Sequence, residues 1–356
     1  MTPKTAHTFG TLLQRPEEVI MLLLTRRQTI FAAIAASLAG RPAFAQSTPA
    51  KARIALDWTP NTNHIGIYVA QAKGFYAAAG LDVDILPYAD TSAGTLVSNG
   101  VADFGISSEI EAITQRAGGG DVKMVYGVVQ TETARLIFKG GRDDIKSPRD
   151  LDGKTYGGFG GTWESALISA MIRNDGGKGE VKTVTLGTSA YEALDNGSID
   201  FTLEIYTWEG VAAELENRKI ARFHYSDYGI PDEQTTVIVS SDAYLSANRD
   251  NARAFIQATR KGYAYSVDHP DEACALLIAE SNGALMNAEL VKASQKALIE
   301  GHFLKSEAGV IGTLDPAKAD AIGGFLVENG ILVDANGTAL KEKPDFSTYY
   351  TNDLLA

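Results

Sequence analysis

The sequence predicts an α/β fold with two lobes around a central cleft, and three features predict it. From Arg53 onward, short apolar runs alternate with helical patterns, as in largely parallel sheets. That β-α-β-α-β opening occurs twice, once in each half, and the final third is helical. The chain of 356 residues, 45% of them hydrophobic, can bury a sizeable core, and its length favours two domains.

Each element has its own signal. "ARIALDW" reads as a buried strand. In "NHIGIYVAQAKG", Ile65, Tyr68, Val69 and Ala72 share one helical face, with Asn63 placed to cap the start and Gly74 near the end. "LDVDILPY" alternates as a strand. "SAGTLVSNGVADFGISS" gives helix, turn, strand and loop, and "VKMVYGVVQ" gives another strand. "ARLIFKG" opens the second half, followed by a capped polar helix in "SPRDLDGK". "KTYGGFGGTWESALISAMIRNDG" is strand, glycine loop and helix. "VKTVTLG" and "SIDFTLEIY" are strands around the short helix "SAYEALDNG", and "TTVIVSS" is the last strand before the closing helices. The expected lobes are 51–133 with 236–345, and 134–235.

The N-terminus reads as an export signal over residues 1–45, with Met21 a candidate true start. Paired Arg26 and Arg27 precede an apolar stretch from Ile30 to Ala39, and Ala43-Phe44-Ala45 is a small-x-small cleavage site. The stretch falls short of the ~20 residues a membrane span needs. Twin-arginine export is expected, although a general secretory signal shares these features. No cysteine follows the cleavage site, so a lipoprotein anchor is not expected and the mature protein should be free in the periplasm. Without residues 1–45 the chain has 27 basic and 42 acidic residues, a net charge of about −15. Such a surface argues against nucleic acid and anionic lipid as partners. Cys274 is the sole cysteine, which excludes an intrachain disulfide and a cysteine metal site.

In open α/β sheets, ligands meet the loops at the carboxyl ends of strands. Those loops are Asp57–His64, Ser107–Glu109, Gln130–Glu132, Gly157–Glu164 and Glu204–Glu209, and they hold all three tryptophans, Trp58, Trp163 and Trp208. Any one tryptophan is more often structural; three together suggest aromatic walls for a flat heterocycle. The same loops hold Glu109, Glu111, Glu132, Glu164, Glu204 and Glu209 against Arg116 and Arg135 nearby. An oxyanion pocket needs arginine clamps, so a ligand that donates hydrogen bonds, such as an amine or aminopyrimidine, fits better. "GGFGGTWES" enters a helix as an anion-binding loop can, but carries neither the P-loop nor the dinucleotide fingerprint. A plain strand-to-helix connection is the competing reading. No metalloprotease motif or nucleophile elbow occurs, and of the histidines only His64 falls in a candidate loop, where capping or orienting is the expected role. No metal, no cofactor and no catalytic residue are expected.

"ALDWTPNTNHIGIYVAQAKGFYAAAGLDVDILP", "VADFGIS" and "IKSPRDLDGKTYG" resemble the periplasmic substrate-binding proteins of thiamine-pyrimidine-precursor ABC importers, whose superfamily includes the fungal thiamine-pyrimidine synthases. The resemblance spans roughly Arg53 to Phe303, and D-W-x-P-N-x-x-H is its specific part. It implies a type II periplasmic-binding-protein fold, with two hinge crossings between the lobes, that closes over one small ligand and docks on a membrane permease, acting as a monomer. It implies pocket roles for Trp58, Asn61 and His64, and for Tyr206, Trp208 and Glu209. Tyr68, Ser108, Glu109, Trp163 and Glu164 complete the expected ligand-binding set. The synthases' pyridoxal-phosphate lysine falls on Ser107, their histidine on Glu111, and their phosphate-gripping loop on Gly160-Gly161-Thr162-Trp163. Their cysteine cluster has no counterpart. The resemblance thus implies a binder of an unphosphorylated heterocycle. Another heterocycle, a flavin precursor or aromatic amine is the alternative cargo, with sulfonate or nitrate ranked lower. A pyrimidine-forming enzyme and a ligand-loaded sensory partner are the alternative functions.

Overall fold

The computed structural model describes residues 48–356; the expected export segment lies outside the described residues. Two five-stranded sheets organise the chain. The first contains β1 (Ala50–Ala55), β2 (Leu81–Leu86), β3 (Phe104–Ser107), β4 (Lys123–Val129) and β10 (Thr236–Ser240), in the order β2-β1-β3-β10-β4. β1 runs parallel to β2 and β3, with Ile54 beside Ile85 and Phe104, whereas β10 is antiparallel to β3 and β4. The second contains β5 (Ala134–Lys139), β6 (Thr155–Gly158), β7 (Lys182–Thr185), β8 (Phe201–Ile205) and β9 (Ile220–His224), in the order β7-β6-β8-β5-β9. The backbone passes between the sheets twice, from β4 to β5 through 130–133 and from β9 to β10 through 225–235.

β9 was not legible in the sequence. It is a five-residue edge strand, and its pairing with β5 (Leu136 opposite Phe223) comes from residues about ninety positions away. Edge strands of this kind carry little apolar periodicity of their own. Nor did the sequence show that "EIYTWEG" continues from β8 into a single π-helical turn, Tyr206–Gly210, and then the helix Val211–Leu215.

The helix Ile65–Ala72 packs on the long helix Arg249–Asp268 through two glycines. A Cβ on Gly66 would lie 2.3 Å from the Tyr263 ring, and one on Gly262 1.9 Å from the Gly66 carbonyl oxygen. Only backbone can approach backbone that closely. The contact pins the turn after β1, because the Tyr263 hydroxyl also donates to the Asn63 carbonyl at 2.6 Å. The expected cap shifts by two residues. Asn61, not Asn63, has extended backbone and accepts from the Asn63 amide at 2.8 Å, opening a 3₁₀ turn over Thr62–His64 ahead of the helix. Asn63 is thereby freed to accept from the Thr207 hydroxyl, which belongs to the π turn beside the second sheet. Ser294 joins the same group by donating to the Thr207 carbonyl, and it also contacts the Thr62 hydroxyl.

Candidate binding site

A cavity of about 690 Å³ lies where the strand-end loops of the two sheets meet, within the size range of small-molecule sites. Trp58, Trp163 and Trp208 all line it, each from a different loop. The Trp58 ring packs against Tyr88 (centroids 5.3 Å apart) and edge-on against Phe159 (5.6 Å). Since Tyr88 follows β2 and Phe159 follows β6, this aromatic wall spans both sheets.

Six acidic residues line the cavity: Asp57, Asp90, Glu111, Glu164, Glu209 and Glu233. Among the described residues, no lysine, arginine or histidine does. The six differ in what they already hold. Glu164 is spent. It is 3% exposed, and it accepts from the Tyr156 hydroxyl (2.8 Å), the Phe159 amide (3.0 Å) and the Gly161 amide. The glycine loop is therefore an anion site, as its composition allowed, and the anion in it is the chain's own carboxylate. Burial drives the Tyr156 phenol well above its ordinary value, so it stays a donor to that carboxylate. Glu233 accepts from the Ile110 amide at 3.0 Å and pairs with Glu132. These two carboxyls come from the two crossings between the sheets, and the pair retains a proton because burial and the neighbouring charge both raise Glu233.

Three carboxyls, Asp57, Glu111 and Glu209, meet the cavity without a lysine or arginine partner among the described residues. Asp57 Oδ1 meets His64 Nε2 at 2.8 Å, Glu111 Oε1 accepts from Gln115 at 3.0 Å, and Glu209 Oε2 accepts weakly from the Ile205 amide at 3.3 Å. The Ser92 and Ser107 hydroxyls are further donors to Glu111, and Glu209's own backbone amide is a further donor to its carboxyl. Burial, reinforced by Asp57, pushes both Glu111 and Glu209 up to about 7.

Four expected site residues do not line the cavity. His64 is 1% exposed and turns its Nε2 to Asp57, so it orients a cavity residue from behind. Tyr68 points into the core of the first sheet's layer, where burial raises its phenol to about 12. Glu109 accepts from the Gln234 amide at 2.8 Å, and burial raises its carboxyl to about 8. Tyr206 lies under the Arg135 guanidinium, 3.8 Å from its ring centroid. A helix starting at a strand end sends only part of each turn toward the cleft, and these four side chains leave it. Asn61 and Ser108 do line the cavity, but both side chains also hold local backbone, as turn cap and helix cap. The principal residues absent from the expected set are Asp57, Tyr88, Glu111 and Phe159. Asp57, Tyr88 and Phe159 sit in loops after β1, β2 and β6, where the strand-end rule applies equally. Glu111 had a signal of its own, in the position of the synthases' histidine.

The family model described as NMT1/THI5 like matches residues 61–273. The chain belongs to the NMT1/THI5-like family. Among its relatives, the formylaminopyrimidine-binding protein of Halalkalibacterium halodurans is 31% identical over 234 residues, 65% of this chain and 71% of that protein. The 4-amino-5-hydroxymethyl-2-methylpyrimidine phosphate synthase THI13 of Saccharomyces cerevisiae is 26% identical over 61% of this chain and 67% of its own length. Among solved structures, a Candida albicans protein described as having the generic periplasmic binding protein structural fold aligns with a TM-score of 0.60 at 16% identity, covering 85% of this chain and 96% of that one. This NMT1/THI5-like chain therefore has the periplasmic-binding-protein fold, in which two α/β layers flank the cavity.

Proposed function

We propose that this protein is a periplasmic solute-binding protein that captures an unphosphorylated aminopyrimidine precursor of thiamine and delivers it to an ABC permease. The observation that carries the reading is the lining of the cavity among the described residues: aromatic rings, six acidic residues and no lysine, arginine or histidine. An aminopyrimidine has a flat ring for Trp58, Tyr88 and Phe159 and an exocyclic amine that donates to carboxylates. The name and identity of the Halalkalibacterium relative support the same cargo. Glu164 supports the unphosphorylated form, because a ligand phosphate would have to displace a buried carboxylate that already holds three donors.

Trp58, Trp163, Trp208 and Glu209 are the ligand contacts in this reading, with Asn61 and Ser108 shaping the wall and His64 holding Asp57. The two lobes, 51–133 with 236–345 and 134–235, close by rotation about the two crossings, and the closed monomer presents a docking surface to the permease. The export segment would place it in the periplasm. A synthase reading is supported less well. Ser107 and Glu111 stand where its lysine and histidine are expected, and no lysine lines the cavity among the described residues.

A thermal-shift screen tests the reading, using hydroxymethyl, aminomethyl and formylaminomethyl aminopyrimidines beside riboflavin, taurine and nitrate. A ligand at about 100 times its Kd adds roughly 2.7 kcal/mol of stability. A shift with the aminopyrimidines alone is expected. A shift with only the anions or the flavin would replace the cargo and leave the fold.

A further inference from the structure

We propose that the cavity binds its ligand as a cation, with one proton taken up and held between a ring nitrogen and the carboxyl group formed by Asp57, Glu111 and Glu209. This rests on the aminopyrimidine reading and extends it from a ring that donates hydrogen bonds to a ring that carries charge.

The geometry supplies the argument. Asp57 follows β1, Glu111 lies in the helix Glu109–Ala117 beside the first sheet, and Glu209 lies in the π turn beside the second. All three line one cavity, and none has a lysine or arginine partner among the described residues. Glu111 and Glu209 are partly exposed although they lie deep in the molecule, and the surface they keep opens on the cavity. Buried carboxylates of like charge need a positive partner or a proton, and among the described residues no basic side chain lines the space.

The charges packed around the group do not change this. Glu111 faces Asp57 and Glu164, with Ser92, Ser107 and Gln115 as its hydrogen-bonding neighbours. Glu209 faces Glu204 and Asp57, and Glu204 is paired with Arg222 outside the cavity at 2.5 Å. Arg218 is the basic group that reaches Tyr191 on the wall, but it does not line the cavity. His64, behind Asp57, touches one oxygen only.

An aminopyrimidine is matched to this deficit. Its basic ring nitrogen lies para to the exocyclic amine, so the protonated ring gives an N–H donor at one end and amine donors at the other, to carboxylates on opposite walls. The proton comes from solvent when the cavity carboxyls are ionised, and from Glu111 or Glu209 when one of them already holds it. Glu209 belongs to the second lobe, and Asp57 and Glu111 to the first, so a cation between them also offsets the like-charge repulsion that closure creates.

Calorimetry of the purified protein with 4-amino-5-hydroxymethyl-2-methylpyrimidine at pH 8, in two buffers of different ionisation enthalpy, counts the protons. Uptake approaching one proton per ligand is expected, shrinking as the pH is lowered to 6, with affinity falling up to about tenfold per pH unit above 7. Glu209→Gln and Glu111→Gln should each reduce the uptake at pH 8. The ultraviolet difference spectrum of the bound ring should match the protonated form. Binding with buffer-independent heat at pH 8 and a neutral-ring spectrum overturns the inference and leaves the proposed function standing. If no aminopyrimidine binds, a permanently charged 1-methyl-4-aminopyridinium separates the two. Its binding, with protons released near pH 7, upholds the cation site and removes the pyrimidine cargo, whereas its failure removes both.

Discussion

Glu164 gives the sharpest test of how the cavity is built. Its carboxylate accepts from the Tyr156 hydroxyl and from the Phe159 and Gly161 amides, so it closes the glycine loop from inside. Truncation in Glu164→Ala leaves three donors without an acceptor. Hydrogen bonds to charged groups are worth about 1.5–3 kcal/mol each. Water entering from the cavity recovers part of this, which brings the expected loss to about 3 kcal/mol. For a chain of this size that lowers Tm by about 5 °C. Scanning calorimetry reads the shift, and acetate supplies the control. It replaces the deleted carboxylate, so it should raise the Tm of the variant in a saturable way while leaving the native protein unmoved. An unchanged Tm, or an equal response to acetate in both proteins, would refute the idea that an internal anion fills this loop.

Three further expectations follow from other parts of the molecule. Trp58→Ala removes a ring in contact with Tyr88 and Phe159; ligand affinity should fall by about 2 kcal/mol or more, near thirtyfold, with Tm little changed, and unchanged affinity in titration calorimetry would remove Trp58 from the site. Thr207→Val breaks the bond from the π turn to Asn63 after β1, and should weaken ligand binding roughly tenfold, because the proposed closure would then leave a buried amide oxygen unpaired; equal affinity would mean that this contact does not hold the proposed closure. The pH dependence of stability should be inverted relative to a protein held by ionised carboxylates. Burial raises Glu109 from 4.5 to about 8 and lifts the Glu132–Glu233 pair in the same direction, so the folded state binds more protons than the unfolded chain above pH 4.5. The Glu109 contribution is full below pH 4.5 and is lost as pH rises through 8, at up to about 1.4 kcal/mol per pH unit. Urea unfolding at pH 5.5 and pH 8 should show lower stability at pH 8 with a shallower slope in Glu109→Gln, and greater stability at pH 8 would contradict it.

The fold was readable because its elements are local and periodic. β1, β3, β4 and β10 are apolar runs bounded by turns, and the helices between them carry caps or glycines. What escaped was set by distant partners. β9 exists because β5 offers it an edge, and Asn63, with Asn61 capping the turn, accepts instead from Thr207, 144 residues away. At the site, the strand-end rule found the loops and all three tryptophans of the wall. It could not say which side chains in those loops turn inward. Glu109 and Glu111 are two residues apart on one helix, yet one is bonded to the Gln234 amide and the other faces the cavity. The sequence showed the excess of acid over base; only the structure showed that Glu164 closes the glycine loop and Glu233 pairs with Glu132, while Asp57, Glu111 and Glu209 meet the cavity without a lysine or arginine partner among the described residues.

The most direct measurement is titration calorimetry of the purified protein with 4-amino-5-hydroxymethyl-2-methylpyrimidine and, separately, with its monophosphate. One-to-one binding of the unphosphorylated ring is expected, with the monophosphate weaker by about a hundredfold or more because its charge must enter a cavity of carboxylates. Equal or tighter binding of the monophosphate, or no binding of either, would contradict the account.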